Sequence, residues 1–285
     1  MRIAERFGAG RPVFSFEFFP PKTPQGFEQL FQTIRDLKPL DPDFVSVTWG
    51  AGGSTRSKTV ELVIQIQQEV GLTAMAHLSC IGSAPDELAA TLDRLGAGGI
   101  QNVLALGGDR PRDYVPPPGA FTFANELVAF IRGRWGFCLG GACYPETHPR
   151  AESPEVDLRN LVRKVGAGVD FLITQLFFEN ADYFAFVERA RAAGIRAPIV
   201  PGIMPIVSVA GIRRMTSMSG ARIPDELASG LAQVEHDDEL TREVGIEWAT
   251  LQCRELLRRG APGIHFYTLN RSPATRAILQ QLRQG

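Results

Sequence analysis

Hydrophobic positions along the chain fall into eight short runs rich in Val, Ile and Phe, separated by stretches with helical spacing. A short apolar run bounded by turn residues is typical of a buried strand. Between the runs, apolar residues recur every three or four positions, as in Phe27, Leu30, Phe31, Ile34 and Leu37, which predicts amphipathic helices. The predicted strands are residues 13–19, 44–48, 72–77, 102–106, 137–143, 170–175, 198–203 and 263–268.

Alternating strands and helices predict a parallel sheet covered by helices. The chain has 285 residues, close to the roughly 250 of a (β/α)8 barrel. We therefore predict an α/β TIM barrel in which residues 1–285 form a single catalytic domain. The competing architecture is a doubly wound open sheet, but FFPPKTPQG follows the first strand where that fold would carry GxGxxG. Residues 204–259 exceed one strand–helix unit, so extra helices are predicted between strands 7 and 8.

The first predicted strand carries a carboxylate within an aromatic run, FSFEFF. Alternation places Phe14, Phe16 and Phe18 on one face and Glu17 on the other. Pro20 and the proline after it end the strand, so Glu17 lies near its carboxyl end. A carboxylate is costly to bury without a partner or a task. From the sequence alone, a structural ion pair and a catalytic role are both explanations for a carboxylate at this position.

Composition and charge exclude several classes of function. The net charge is −1 and the isoelectric point about 6.5, which indicates neither a nucleic-acid partner nor an anionic membrane. No apolar run is long enough to span a bilayer, and the N-terminus lacks the apolar core of a signal peptide. The four cysteines show no metal-site spacing. We predict reduced thiols, a cytoplasmic location and no metal.

Polar residues follow the carboxyl ends of most predicted strands, and a barrel would bring these ends to one mouth. Each has an ordinary alternative: a satisfied core histidine, a turn-forming aspartate or a packed tyrosine. Only their joint placement indicates a site. They are Glu17, Thr48, His77, Asp109, Tyr144, Glu146, His148, Gln175 and Tyr267.

A polar helix face follows the fifth strand. Asp157, Asn160, Arg163 and Lys164 lie close to one side of the predicted helix. A solvated face accounts for this pattern, and an anion site is the functional alternative because Arg and Lys suit phosphate.

Taken together, these motifs resemble the methylenetetrahydrofolate reductase family. The resemblance rests on SFEFFPPK, VSVTWGAGGSTR, AHLSCIG, LALGGD, CYPETHP, DLRNLVRKVGAG, ITQLFFE, PGIMPI and FYTLNRS, in that order along nearly the whole chain. It implies an FAD-containing barrel of the bacterial type, in which NADH or NADPH reduces the flavin and the flavin then reduces the folate. A homo-oligomer is also expected from the resemblance.

The resemblance also implies roles for individual residues. Glu17 matches the general acid for opening the folate ring, and Asp109 an acidic residue near both flavin and pterin. The substrate side further includes Gln175, Tyr267 and Arg271. The flavin-binding matches are Thr48, Trp49, Ala51, His77, Gly108, Asp109, Phe123, Ala124, Tyr144, His148, Asp157, Asn160, Arg163 and Lys164.

Two positions depart from the family pattern: Gly107 replaces a frequent Arg, and Val209 stands where many members place an aromatic residue. Because a general acid must hold its proton near neutral pH, a raised pKa is expected for Glu17 among its phenylalanines. The alternatives are a pterin- or folate-binding barrel transferase without flavin, and a non-catalytic flavin- or folate-binding protein.

Overall fold

The computed structural model of the chain describes residues 1–49, 53–109 and 114–284. All strands in these ranges join one parallel sheet. They are β1 (Val13–Phe18), β2 (Phe44–Val47), β3 (Ala74–Ser79), β4 (Asn102–Leu106), β5 (Cys138–Cys143), β6 (Phe171–Thr174), β7 (Ile199–Val200), β8 (Gly202–Ile203) and β9 (Gly263–Tyr267). Their order across the sheet is β7-β6-β5-β4-β3-β2-β1-β9-β8.

The two ends of the sheet belong to one chain segment, which closes the sheet into a barrel. β7 pairs with β6, and β8 pairs with β9. Pro201 separates the two short strands because it has no N–H to donate, while its carbonyl accepts a hydrogen bond from the His265 N–H at 2.9 Å. The predicted TIM barrel is confirmed, with its seventh strand divided at this proline.

Helices follow the strands around the outside of the barrel. They are α1 (Pro24–Leu37), α2 (Gly53–Gln65), α3 (Pro85–Ala97), α4 (Ala124–Arg132), α5 (Pro154–Gly166), α6 (Asn180–Ala192), α7 (Val209–Ser219), α8 (Asp225–Gln233), α9 (Asp238–Arg258) and α10 (Pro273–Gln284). A π-helical turn, Ile66–Val70, extends α2, and short 3-10 turns cover Ile3–Arg6 and Lys38–Leu40. The extra helices predicted before the last strand are therefore present, since α7, α8 and α9 all lie between β8 and β9.

Local sequence signals explain where several helices begin. The Thr23 hydroxyl accepts from the Gly26 N–H at 3.2 Å, and Ser153 caps α5 in the same way. Each is followed by a proline at the first helical position, where no N–H is required. Within the described ranges, no helix is both long and apolar enough to cross a membrane.

Strand alternation divides the core into two layers. Phe14, Phe16 and Phe18 pack with the helices outside β1. Val13, on the opposite face, packs inside the barrel with Phe44, and Ile3 from the N-terminal turn joins this inner cluster. Burying each such side chain contributes roughly 1.5–3 kcal/mol. The inner apolar layer fills the amino-terminal half of the barrel and leaves the carboxyl-terminal mouth to polar residues.

Candidate active site

A carboxylate and two imidazoles meet at the mouth of the barrel, from strands β1, β3 and β9. Glu17 Oε2 lies 3.2 Å from His265 Nε2 and 3.4 Å from His77 Nε2. The Glu17 side chain is 17% exposed, whereas His265 is fully buried. His265 Nδ1 lies 2.8 Å from the Ser15 hydroxyl, one inward position below Glu17. We call Glu17, His77, His265 and Ser15 the carboxylate–imidazole cluster.

The strand register places this cluster. β1 and β9 are parallel neighbours that align Ser15 with His265 and Glu17 with Tyr267. Because side chains on one face of a strand repeat every second residue, both Ser15 and Glu17 face His265. A carboxylate only accepts hydrogen bonds, so in the neutral ring His265 Nε2 donates to Glu17 and Nδ1 accepts from the Ser15 hydroxyl.

The expected raised pKa of Glu17 is wrong. Burial alone would raise the pKa, but the imidazoles of His77 and His265 outweigh burial and lower the pKa of Glu17 below its ordinary value. Burial lowers the pKa of His77 to about 4, against which the Glu17 charge acts only in part. Glu17 is therefore ionised and His77 neutral near pH 7. In the described part of the chain, no three His, Cys, Asp or Glu side chains are grouped to hold a metal ion.

A cavity of about 870 Å³ lies beside the ends of β4 and β5. Its walls come from the ends of these strands and the loops after them, from the first turn of α4, from one side of α5 and from two residues of α6. We call it the β4–β5 cavity. The predicted site residues that line it are Gly108, Asp109, Phe123, Ala124, Tyr144, His148, Asp157, Asn160, Arg163 and Lys164.

The floor of the cavity at β4 requires a glycine. Gly108 has φ +90°, and a Cβ there would lie 1.9 Å from the Ser79 hydroxyl. This conformation and this space are available only without a side chain. The preceding residue, Gly107, has ordinary φ, and its carbonyl accepts a hydrogen bond from the Ser79 hydroxyl at 3.0 Å. Asp109 then projects fully into solvent at the rim.

The α5 side of the cavity holds charged groups in fixed positions. The Asp157 carboxylate accepts from the His148 N–H at 2.9 Å, and the rings of His148 and Tyr144 lie 4.4 Å apart. The Lys164 ammonium donates to the Ala142 carbonyl, and burial lowers its pKa. Burial likewise raises the pKa of Tyr144 to about 12. The predicted polar face of this helix therefore faces a cavity, in place of open solvent.

The remaining predicted residues lie outside the lining of this cavity. The Tyr267 hydroxyl donates to the Thr174 carbonyl at 2.6 Å, and the Gln175 side chain accepts from the Leu176 N–H. Arg271 is exposed in the loop after β9. Thr48 and Trp49 follow β2, and Glu17 and His77 belong to the cluster already described. Ala51 lies outside the described residues.

Three residues that complete these sites were missed at the sequence level: His265, Ser15 and Arg150. His265 is two positions before Tyr267, so strand alternation could have placed it in the mouth. Ser15 could have been found in the same way, from its spacing to Glu17. Arg150 gives no comparable signal because it lies in a loop, where it meets Gly108 and Asp109.

Comparisons with known proteins agree with this geometry. The family model described as methylenetetrahydrofolate reductase matches residues 2–283. The 5,10-methylenetetrahydrofolate reductase of Escherichia coli is 38% identical over 96% of this chain and 91% of its own length.

This chain belongs to the methylenetetrahydrofolate reductase family.

Further members of the family are longer. Methylenetetrahydrofolate reductase (NADH) 1 of Zea mays is 40% identical over 99% of this chain, which spans 50% of the maize protein. The chain thus covers about half the length of several curated relatives that it matches.

Solved structures show the same barrel at low identity. An uncharacterised Clostridium thermocellum protein described as binding two copies of 5-methyl-5,6,7,8-tetrahydrofolic acid has a TM-score of 0.61 at 16% identity, covering 96% of this chain and 94% of its own. A dihydropteroate synthase from Xanthomonas albilineans, in complex with 7,8-dihydropteroate, has a TM-score of 0.54 at 14% identity, covering 96% and 93%. These likenesses show the fold alone.

The two departures from the methylenetetrahydrofolate reductase pattern have different surroundings. Gly107 lines the β4–β5 cavity, and a Cβ there would meet only the Ala124 N atom, at 3.9 Å. Val209 begins α7 and is buried among apolar neighbours that include Met204 and Ile206. The first position therefore has free space beside it in the site, whereas the second holds a packed aliphatic side chain.

Proposed function

We propose that this chain reduces 5,10-methylenetetrahydrofolate to 5-methyltetrahydrofolate with FAD as bound cofactor and NADH or NADPH as hydride donor, in two successive half-reactions. Family membership supports the reaction, and the names of the plant relatives support NADH. The observation that carries the proposal is the Glu17 carboxylate held by two imidazoles at a barrel mouth that also contains a large cavity. The reverse direction is chemically possible through the same groups.

The residues present fit a flavin dinucleotide. Gly108 lines the cavity without a side chain, so a bound group can contact its backbone, and Asn160, Arg163 and Lys164 bring donors to the α5 side of the cavity. Within the described ranges, the Trp49 ring nitrogen Nε1 is buried without a hydrogen-bond partner. Buried donors of this kind are rare unless something pairs with them.

Each side of the site would hold a different part of the cofactor. The β4–β5 cavity would be lined by Gly108, Phe123, Ala124, Tyr144, His148, Asp157, Asn160, Arg163 and Lys164, and the strand side would add Thr48, Trp49 and His77. When bound, FAD accepts a hydride from the nicotinamide and later delivers one to the folate.

Glu17 would deliver the proton that opens the folate ring. Protonation of the folate N10 breaks its bond to the bridging carbon and leaves an iminium at N5 that accepts hydride. Because Glu17 is ionised near pH 7, it must gain a proton before it donates one. The Glu17 side chain is 17% exposed and can take this proton from water, while His265 Nε2, 3.2 Å away and backed by the Ser15 hydroxyl, holds the carboxyl group in place. After Glu17 has donated its proton, the imidazoles of His77 and His265 again favour its ionised form.

Other residues would position the folate at the mouth. The exposed Asp109 carboxylate is an acceptor for the amino and ring N–H donors of a pterin. Gln175 follows β6, Tyr267 ends β9 beside Glu17 on β1, and the Tyr267 hydroxyl is fixed on Thr174. Arg271, exposed beyond β9, would meet the anionic tail of the folate. The cytoplasmic location, the homo-oligomer and the single catalytic domain stay predictions.

Flavin content separates this function from the alternatives. We expect the purified protein, or the apoprotein incubated with FAD, to hold close to one FAD per chain and to oxidise NADH or NADPH when methylenetetrahydrofolate is supplied. A colourless protein that cannot be reconstituted with FAD would contradict the proposal and favour the pterin-binding transferase. A flavin-loaded protein without turnover would favour the non-catalytic binding protein.

A further inference from the structure

The loop after β5 brings the Arg150 guanidinium to the end of β4. The family resemblance places an Arg before the Gly-Asp pair, but this chain has Gly107. In the structure the Arg150 guanidinium donates to the Gly108 carbonyl at 3.3 Å and lies 3.6 Å from the Asp109 carboxylate. Both Gly107 and Arg150 line the β4–β5 cavity.

We infer that Arg150 replaces the missing Arg of position 107 as the cation at the β4 rim, where it binds the anionic FAD. This inference rests on the proposed function, because it concerns the cofactor of that site. It assigns a binding role to a residue in the loop between β5 and α5, at a position that the β4 motif does not include.

The backbone of the loop holds Arg150 in place. The Arg150 N–H donates to His148 Nδ1 at 3.0 Å, and the Ala151 N–H donates to the His148 carbonyl at 2.9 Å. His148 is itself tied to Asp157 through its own N–H. The loop is therefore anchored on α5, and the Arg150 side chain extends from it towards the end of β4. Arg110 lies outside the described residues, so these contacts concern Arg150 alone.

Position 107 has room for the side chain that it lacks. A Cβ at Gly107 would make one contact, with the Ala124 N atom at 3.9 Å, and the residue has ordinary φ. Its carbonyl is already fixed by the Ser79 hydroxyl and the Cys80 thiol at 3.0 and 3.2 Å. An Arg can therefore be returned to position 107 without strain, which makes the replacement testable in both directions.

The contacts of Arg150 contribute little to folding. Its side chain is 57% exposed, and Asp109 is fully exposed, so their ion pair is screened by water. A bound anion would cover the guanidinium and strengthen its charge-assisted hydrogen bonds. We therefore expect a defect in cofactor binding without a defect in stability.

The test compares FAD binding to apoproteins with Arg at neither, either or both positions. The apo forms of wild type, R150Q, G107R and G107R/R150Q are titrated with FAD by flavin fluorescence. We expect R150Q to raise the Kd about tenfold, as for loss of one charge-assisted contact, and G107R/R150Q to recover most of this loss. R159Q, an identical change at an exposed residue of α5 outside the cavity lining, should bind FAD as wild type does.

Melting temperatures of the apoproteins serve as the folding control and should agree within error for R150Q and wild type. An unchanged Kd in R150Q would overturn the inference, as would a double variant that binds FAD as weakly as R150Q. A wild-type apoprotein that binds no FAD at all would instead overturn the proposed function, and this inference with it.

Discussion

The carboxylate–imidazole cluster and the β4–β5 cavity occupy the same barrel mouth but are built from different parts of the fold. The cluster consists of inward-facing strand residues, and Glu17 is only 17% exposed. The cavity is lined mainly by the loops after β4 and β5 and by one side of α5, and its rim residue Asp109 is fully exposed. Charges in the cluster are weakly screened and shift one another's pKa, whereas rim charges act mainly on ligands. The proposed function therefore assigns proton transfer to the strands and most of the cofactor contacts to the loops and to α5.

The largest expected effect separates the two regions by half-reaction. Glu17→Gln keeps the shape of the cluster but removes the proton donor, so folate turnover should fall by roughly 10²–10⁴. FAD binding and flavin reduction by NADH or NADPH should stay close to wild type, because they depend on the cavity. Both are measured by anaerobic stopped-flow absorbance.

The matched control is Glu152→Gln, the same change at an exposed residue of the cavity loop. It should alter neither half-reaction. Unchanged folate turnover in E17Q would remove Glu17 from the proposed chemistry.

The buried histidine of the cluster should make the stability of the protein depend on pH. The pKa of His77 is lowered to about 4 from an ordinary 6.5, so the unfolded chain binds its proton first as pH falls. The contribution of neutral His77 to the free energy of unfolding is complete above pH 6.5 and is lost as pH falls from 6.5 to about 4. This contribution is roughly 3 kcal/mol. Urea unfolding across this range should therefore show a flatter pH profile for H77L than for wild type.

His236, which is 96% exposed, provides the control for that profile. H236Q should follow the wild-type curve throughout. If the stability of H77L changed with pH as that of the wild type does, His77 would not be the source of this pH dependence.

Adjacent glycines sharpen the comparison within the cavity. Gly108→Ala would force a Cβ to 1.9 Å from the Ser79 hydroxyl at φ +90°, so we expect a loss of about 2 kcal/mol of stability and weakened FAD binding. Gly107→Ala meets only one atom, at 3.9 Å, and should change stability by less than about 0.5 kcal/mol. Thermal unfolding and FAD titration measure both, and equal behaviour of the two variants would argue against the Gly108 floor.

The smallest effect concerns the rim. Asp109→Asn keeps an acceptor but loses the charge, so the folate Kd should rise about tenfold. Stability should be unaltered because the side chain is fully exposed. Folate binding is measured by titration of the oxidised protein, and an unaltered Kd would remove Asp109 from the substrate site.

Sequence patterns predicted the strand faces because alternation depends only on neighbouring residues. Phe14, Phe16 and Phe18 face the helices and Glu17 the mouth, as expected. The direction of the Glu17 pKa shift could not be predicted in this way, since it depends on His265, 248 positions away. The contact of Arg150 with Gly108 spans 42 positions and depends on the path of a loop. Periodicity therefore predicts which face of each strand is buried. The pKa shifts depend on the register of strands that are distant in sequence.

The division between the two regions is tested most directly by following the flavin spectrum under anaerobic conditions. The account predicts that NADH or NADPH bleaches the flavin band and that methylenetetrahydrofolate then restores it. In E17Q, bleaching should be preserved and recovery should stop or become very slow. Recovery at the wild-type rate in E17Q, or a protein without a flavin band after reconstitution with FAD, would contradict the account.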